Sequence, residues 1–254
     1  MKIALLQSSL VWENASTNRT NFEAIIGGIS EPVDLIVLPE MFTTGFSMQP
    51  RDLAESMDGA TVSWMKRLAE FHQSAICGSV IIGENGHFYN RLLFVFPDGT
   101  VQHYDKRHLF SLAGEHQVYQ KGNERLVVHY KGFRICPLVC YDLRFPVFSR
   151  NTEDFDLLLY VANWPAPRTN AWDILLKARA VENMCYVAGV NRIGKDANGH
   201  EYSGHSQLID FLGHELIPPQ QTEGVFIASL DKEKILETRS KLGFLEDRDA
   251  FEIN

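Results

Sequence analysis

Three residues of different chemistry stand where apolar segments of this 254-residue chain end. Cys140 follows the run 135–139 and opens Cys140-Tyr141-Asp142-Leu143-Arg144-Phe145-Pro146. Glu40 follows the run 35–38 within Pro39-Glu40-Met41-Phe42, and Lys106 follows 100–104 within Asp105-Lys106-Arg107-His108. A thiol is a nucleophile, a carboxylate carries protons, and an ammonium offsets negative charge that develops on oxygen. Strand ends are where open α/β sheets bind ligands. Taken singly, a cysteine packs as a small core residue, and a glutamate or lysine after a strand sits in solvent. Taken together, in bulky apolar surroundings where a lone charge is costly, the three point to one site.

These blocks carry a resemblance. Leu38-Pro39-Glu40-Met41-Phe42, Tyr104-Asp105-Lys106-Arg107-His108-Leu109-Phe110 and the Cys140 block resemble, in order and spacing, the three signature segments of the nitrilase superfamily of carbon–nitrogen hydrolases. Asn163-Trp164-Pro165 and the segment Lys177-Ala178-Arg179-Ala180-Val181-Glu182-Asn183 are similar to it as well, so the likeness runs through nearly the whole chain. Within the superfamily the chain is most similar to the omega-amidase branch. The resemblance implies a four-layer αββα sandwich that associates as a homodimer or higher homo-oligomer through helical faces. It also implies Glu40 as base, Lys106 as oxyanion stabiliser, Cys140 as nucleophile, and a second glutamate after the lysine, here Glu115.

The elements that must position these residues are legible as hydrophobic patterns. Strands are expected at 3–7, 35–38, 75–83, 88–96, 100–104, 127–130, 133–139, 157–162, 186–191, 207–211, 215–217 and 225–230. Helical spacing appears over 17–29, 61–72, 171–183 and 231–240, with Asp58 or Thr61 as the cap of the second. Pro97-Asp98-Gly99, Lys131-Gly132 and Leu212-Gly213 read as hairpin turns, and Pro218-Pro219 as a local turn. Hairpins mixed with strand–helix units suggest two sheets packed face to face with helices outside. One domain over 1–254 is expected, with 242–254 as a candidate C-terminal arm because Phe244, Leu245, Phe251 and Ile253 are large and apolar.

Composition fits a globular enzyme: 45% hydrophobic and 22% charged residues. The net charge of −8 argues against nucleic acid or an anionic membrane as partner. Cys77, Cys136 and Cys185 lie in apolar runs and are expected in the core. There is no Cys-x-x-Cys and no His-Glu-x-x-His, so no metal and no cofactor are expected. The opening segment Met1-Lys2-Ile3-Ala4-Leu5-Leu6-Gln7 reads as a first strand rather than a signal peptide. No apolar stretch is long enough to span a bilayer, and a cytoplasmic, reducing context is expected.

The resemblance implies amide hydrolysis. For that chemistry Glu40 is the candidate to take the Cys140 proton and return one to departing ammonia, with Lys106 and the backbone N–H of Tyr141 as candidates to meet the oxyanion. Resemblance to omega-amidases implies a short 2-oxo dicarboxylic acid monoamide as substrate, whose carboxylate needs a cation besides Lys106. Arg144 and Arg168 are candidates, with Trp164 and Phe42 as apolar walls and Tyr141 or Tyr119 as a hydroxyl. Structural alternatives stand beside these, such as Arg144 pairing with Asp142 or Glu182. Two further readings stay open: a nitrilase or N-carbamoyl amide hydrolase of the same superfamily, and a non-catalytic binding module.

Overall fold

The unbroken apolar runs form the parallel centres of two sheets, as expected for strands covered on both faces. In the computed structural model, which describes residues 1–252, the chain begins with β1 (Lys2–Gln7), α1 (Ala15–Gly27), β2 (Leu35–Val37), a short α2 (Pro50–Leu53), α3 (Ala60–His72) and β3 (Ala75–Glu84). It continues with β4 (His87–Val95), β5 (Val101–Asp105), a short α4 (Glu115–Val118), β6 (Val128–Tyr130), β7 (Phe133–Val139) and β8 (Leu157–Ala162). Then come α5 (Thr169–Asn183), β9 (Tyr186–Asn191), β10 (Ile193–Lys195), β11 (Glu201–Ser203), β12 (Ser206–Ile209), β13 (Glu215–Gln220), β14 (Gly224–Ser229) and α6 (Lys232–Leu242).

The first sheet has the order β14-β1-β2-β3-β4-β5 and the second β13-β12-β9-β8-β7-β6. β1, β2 and β3 run parallel, as do β7, β8 and β9, and the flanking strands are antiparallel. Side chains alternate across each strand. Ile3 and Leu5 therefore enter the core between the sheets, with Ile135, Leu157 and Leu159 of the second sheet. Ala4 and Leu6 face outward onto Phe22 and Ile26 of α1 and Met65 and Leu68 of α3. On the far side α5 and α6 bury Trp172, Leu176 and Ile235 against the second sheet. The result is a four-layer αββα sandwich. Short 3₁₀ turns at Ser111–Ala113, Cys140–Arg144 and Ala166–Arg168 follow β5, β7 and β8 along one edge.

Three expectations require correction. Pro218-Pro219 is not a turn but the middle of β13, an edge strand paired only to β12. Proline lacks a donor, and an edge strand needs donors on one side only. β10 and β11 form a small two-stranded hairpin where no element was expected. The N-cap of α3 is Gly59 rather than Asp58 or Thr61, and Glu55 reaches back to accept from the Thr61 backbone N–H at 2.7 Å. The turns at Gly99 and Lys131-Gly132 have the positive φ values such turns demand. In the tail, α6 ends at Gly243 in the left-handed conformation, Phe244 is exposed, and Ile253 lies outside the described residues.

Candidate active site

Glu40, Lys106 and Cys140 come from three separate strand ends in both sheets and meet in one buried cluster. Lys106 Nζ lies 2.9 Å from Glu40 Oε1 and 3.0 and 2.9 Å from the two oxygens of Glu115. All three side chains are fully shielded from solvent. Glu40 is held by further donors. Asn90 Nδ2 donates to its Oε1 at 2.8 Å, and the backbone N–H of Asn163 to its Oε2 at 2.8 Å. The Cys140 thiol lies near enough to Glu40 for its charge to be felt. Glu115 accepts from Asn90 at 3.2 Å and from the Phe110 backbone N–H at 2.5 Å.

Electrostatics follow from this packing. Burial alone would lower the Lys106 pKa, but Glu115 and then Glu40 outweigh it and hold the amine above its usual range. Burial raises the Glu115 pKa, Lys106 opposes this, and the neighbouring charge of Glu40 adds to it. Burial pushes the Cys140 thiol up, and Glu40 pushes it further against the opposing pull of Lys106. At neutral pH the thiol is therefore protonated, and its proton has a carboxylate to go to. Cys140 also adopts φ 45°, a left-handed conformation that a non-glycine side chain occupies at some cost.

The cluster opens into a cavity of about 490 Å³. Lys106, Cys140 and Asn163 form its floor, and Phe46, Phe110 and Trp164 supply apolar wall. Tyr141, Arg144 and Arg168 line it too. Arg144 stacks 4.9 Å from the Trp164 ring centroid and Arg168 5.2 Å from that of Phe110. Neither guanidinium is in an ion pair with a carboxylate among the described residues, so the alternative pairing of Arg144 with Asp142 or Glu182 does not occur. Glu182 pairs instead with Arg179 at 2.9 Å.

Two candidates for substrate contact fall elsewhere. Phe42 is fully buried in the outer core, with its ring 5.7 Å from Phe22 and 5.8 Å from Trp64. One residue before it, Met41 holds φ 41°, and the Phe42 ring lies on the helix side of the first sheet rather than in the cavity. Tyr119 donates its hydroxyl to the Ser47 carbonyl at 2.6 Å and is buried below the cluster.

Other residues were missed. Asn90 bridges both carboxylates, and its Oδ1 accepts from Ser79 Oγ at 2.8 Å. Its only sequence signal is a polar residue in the middle of an apolar strand. Asn191 holds Trp164 through bonds of 2.8 and 2.9 Å to its backbone N–H and carbonyl. The β10–β11 hairpin brings His200, Glu201 and Tyr202 to the cavity wall. Cys77, Cys136 and Cys185 are buried in the core, as expected, and burial raises the thiol pKa of each.

A buried acid, amine and thiol presented to one cavity at the strand ends of an αββα sandwich is a set of groups suited to hydrolysis. The chain belongs to the carbon–nitrogen hydrolase family, whose model matches residues 2–240. It is 48% identical to "Omega-amidase YafV" of Yersinia enterocolitica across 99% of this chain and 98% of that one. It is 34% identical to "2-oxoglutaramate amidase" of Bacillus subtilis, covering 96% of each. In three dimensions it matches XC1258 from Xanthomonas campestris with a TM-score of 0.98 and 45% identity, over 100% of this chain and 99% of that one. That structure is described as a CN-hydrolase superfamily protein with an arsenic adduct in its active site. The chain is thus an enzyme that hydrolyses carbon–nitrogen bonds.

Proposed function

We propose that the chain is an omega-amidase. It hydrolyses the terminal amide of short 2-oxo dicarboxylic acid monoamides, 2-oxoglutaramate and 2-oxosuccinamate, to the acid and ammonia. The observation that carries the substrate class is the pair of guanidiniums, Arg144 and Arg168, which line the cavity against aromatic rings and are in no ion pair among the described residues. Glu40 and Glu115 sit buried behind Lys106 of the cavity floor, and would repel a carboxylate unless such cations received it. The names of the relatives point the same way.

In this reading Glu40 takes the Cys140 proton as Sγ attacks the amide carbonyl carbon. The oxyanion that forms is met by Lys106 Nζ and the Tyr141 backbone N–H. Collapse breaks the carbon–nitrogen bond, Glu40 returns the proton to the departing amine, and ammonia leaves a thioester on Cys140. Water, deprotonated by Glu40, attacks the thioester and releases the acid. Glu115 keeps Lys106 charged and aimed. Trp164 and Tyr141 shape the acyl site. No step calls for a metal or cofactor.

The experiment is ammonia release across 2-oxo acid amides, plain amides, nitriles and N-carbamoyl amino acids. The 2-oxo acid amides should be hydrolysed much faster than propionamide or butyramide, because a site built for a polar group rejects an analogue lacking it. Equal kcat/KM for acid and plain amide would remove the omega-amidase reading. The nitrile and carbamoyl arms test the other family chemistries. A non-catalytic module is disfavoured because acid, amine and thiol are all present and in contact.

The same reading includes self-association and a reducing compartment. Ile174 and Val181, seven residues apart on one face of α5, are 58% and 50% exposed, and the Leu212-Gly213 turn packs beside Val181. All four cysteines are free. No helix among the described residues is long and apolar enough to cross a membrane.

A further inference from the structure

We infer that the carboxylate of Asp142 is the positioning residue that locks the Cys140 turn to the Lys106 loop. The inference rests on Cys140 and Lys106 acting together, as proposed above. Asp142 is fully buried, and no lysine or arginine pairs with it among the described residues. A carboxylate so placed is costly unless its oxygens are filled by donors, and here they are. Oδ2 accepts from the Val139 backbone N–H at 2.9 Å and from the Tyr104 hydroxyl at 2.8 Å. Oδ1 accepts from the His108 backbone N–H at 3.1 Å and faces His108 Nδ1 at 2.7 Å.

The sequence positions of these donors give the bonds their meaning. Val139 and Asp142 bracket Cys140. Tyr104 and His108 bracket Lys106, each two residues away. The Tyr104 hydroxyl, while donating to Asp142, accepts from the Arg107 backbone N–H at 3.0 Å, so the residue after Lys106 joins the same network. One carboxylate therefore closes the turn that carries the thiol and clamps the segment that carries the amine. The turn needs such closure: Cys140 is held at φ 45°, and strained conformations persist only where their surroundings over-determine them. The His108 ring lies flat on Phe145, with centroids 3.7 Å apart and planes 5° apart, which fixes the donor from outside. Burial, and then the charge of Asp142, raise the Tyr104 pKa, so the hydroxyl keeps its proton and remains a donor.

The test needs no knowledge of the physiological substrate. Asp142→Asn keeps size but replaces one accepting oxygen with an amide nitrogen. It should lower kcat on a hydrolysed amide by about 10²-fold, the scale of a small misplacement of reacting groups, while KM changes less than threefold. The rate of Cys140 alkylation by iodoacetamide in the folded enzyme should fall in parallel. That second readout separates this inference from the substrate assignment, since it reads the thiol's setting without amide turnover. Tyr104→Phe removes one donor to Asp142 and the acceptor of the Arg107 backbone N–H, and should show the same pattern at smaller size. A folded Asp142→Asn enzyme with wild-type kcat and alkylation rate overturns the inference. Should that variant fail to fold, Tyr104→Phe and His108→Ala decide it: unchanged kcat and alkylation in both overturns it equally.

Discussion

On the proposed mechanism, a protonated thiol beside a carboxylate, with an amine held charged by two acids, divides the labour of amide hydrolysis at single residues. Cys140→Ala should abolish turnover while leaving the fold intact, because the change removes one atom from a residue that is already nearly buried. Intact-mass measurement of wild-type enzyme quenched during turnover should show the thioester adduct, and normal turnover by the alanine variant would sink the assignment. Glu40→Gln keeps hydrogen bonds to Lys106 but cannot take a proton, so kcat should drop by roughly 10²–10⁴-fold. Lys106→Met should cost at least roughly 10²-fold in kcat by loss of an oxyanion donor. It also leaves Glu40 and Glu115 facing each other without a cation, and Glu115, whose pKa burial already raises, then takes up a proton. Circular dichroism and kcat measured on the same preparations separate these effects from unfolding.

Glu40 and Cys140 were legible because each follows an unbroken apolar run, which fixes both the strand and its end, whereas Lys106 follows the mixed strand Val101–Asp105 and was marked by the family's order of segments. Glu115 was legible only through the family likeness, since nothing in Ala113-Gly114-Glu115-His116 marks that acid as buried. The role of Asn90 was not legible: beside Arg91 in a largely apolar strand, a polar residue carries no mark of its partners, which here are two carboxylates. The β10–β11 hairpin was missed because its strands are three residues each with one large apolar residue apiece, too short for a pattern, and are held by pairing to each other and by Asp196, which accepts from Asn198, His200 and Tyr202. Phe42 was misplaced because adjacency to Glu40 in sequence is not adjacency in the cavity. A turn sends consecutive side chains to different layers. At this scale the prediction concerns the 3₁₀ turns after β7 and β8, which carry Arg144 and Arg168. Replacing either arginine by glutamine should raise KM for 2-oxoglutaramate by about tenfold or more, the value of a charge-assisted hydrogen bond, and leave KM for butyramide nearly unchanged. Parallel KM shifts for both substrates would show that the guanidiniums serve the wall rather than the carboxylate.

For the whole molecule, the arrangement of layers leaves the outer face of α5 as the surface in question. Trp172, Leu176 and Ala180 of that helix are buried inward, so its opposite stripe, with Ile174 and Val181, faces away from the sheet. Single exposed apolar residues are ordinary, but two on one face, with the Leu212-Gly213 turn beside Val181, make this face the candidate for self-association. A two-fold axis through it would bury the same patch on both copies. Light scattering after size exclusion should therefore return a mass near twice the 28.9 kDa of the chain. The double substitution Ile174→Glu and Val181→Glu should reduce it to one chain by placing like charges across the axis. Because α5 begins directly after the Ala166–Arg168 turn at the cavity, the separated chain should also show a higher KM than the dimer. A wild-type enzyme that elutes as a single chain at micromolar concentration would leave α5 a free surface and remove self-association through it from the account.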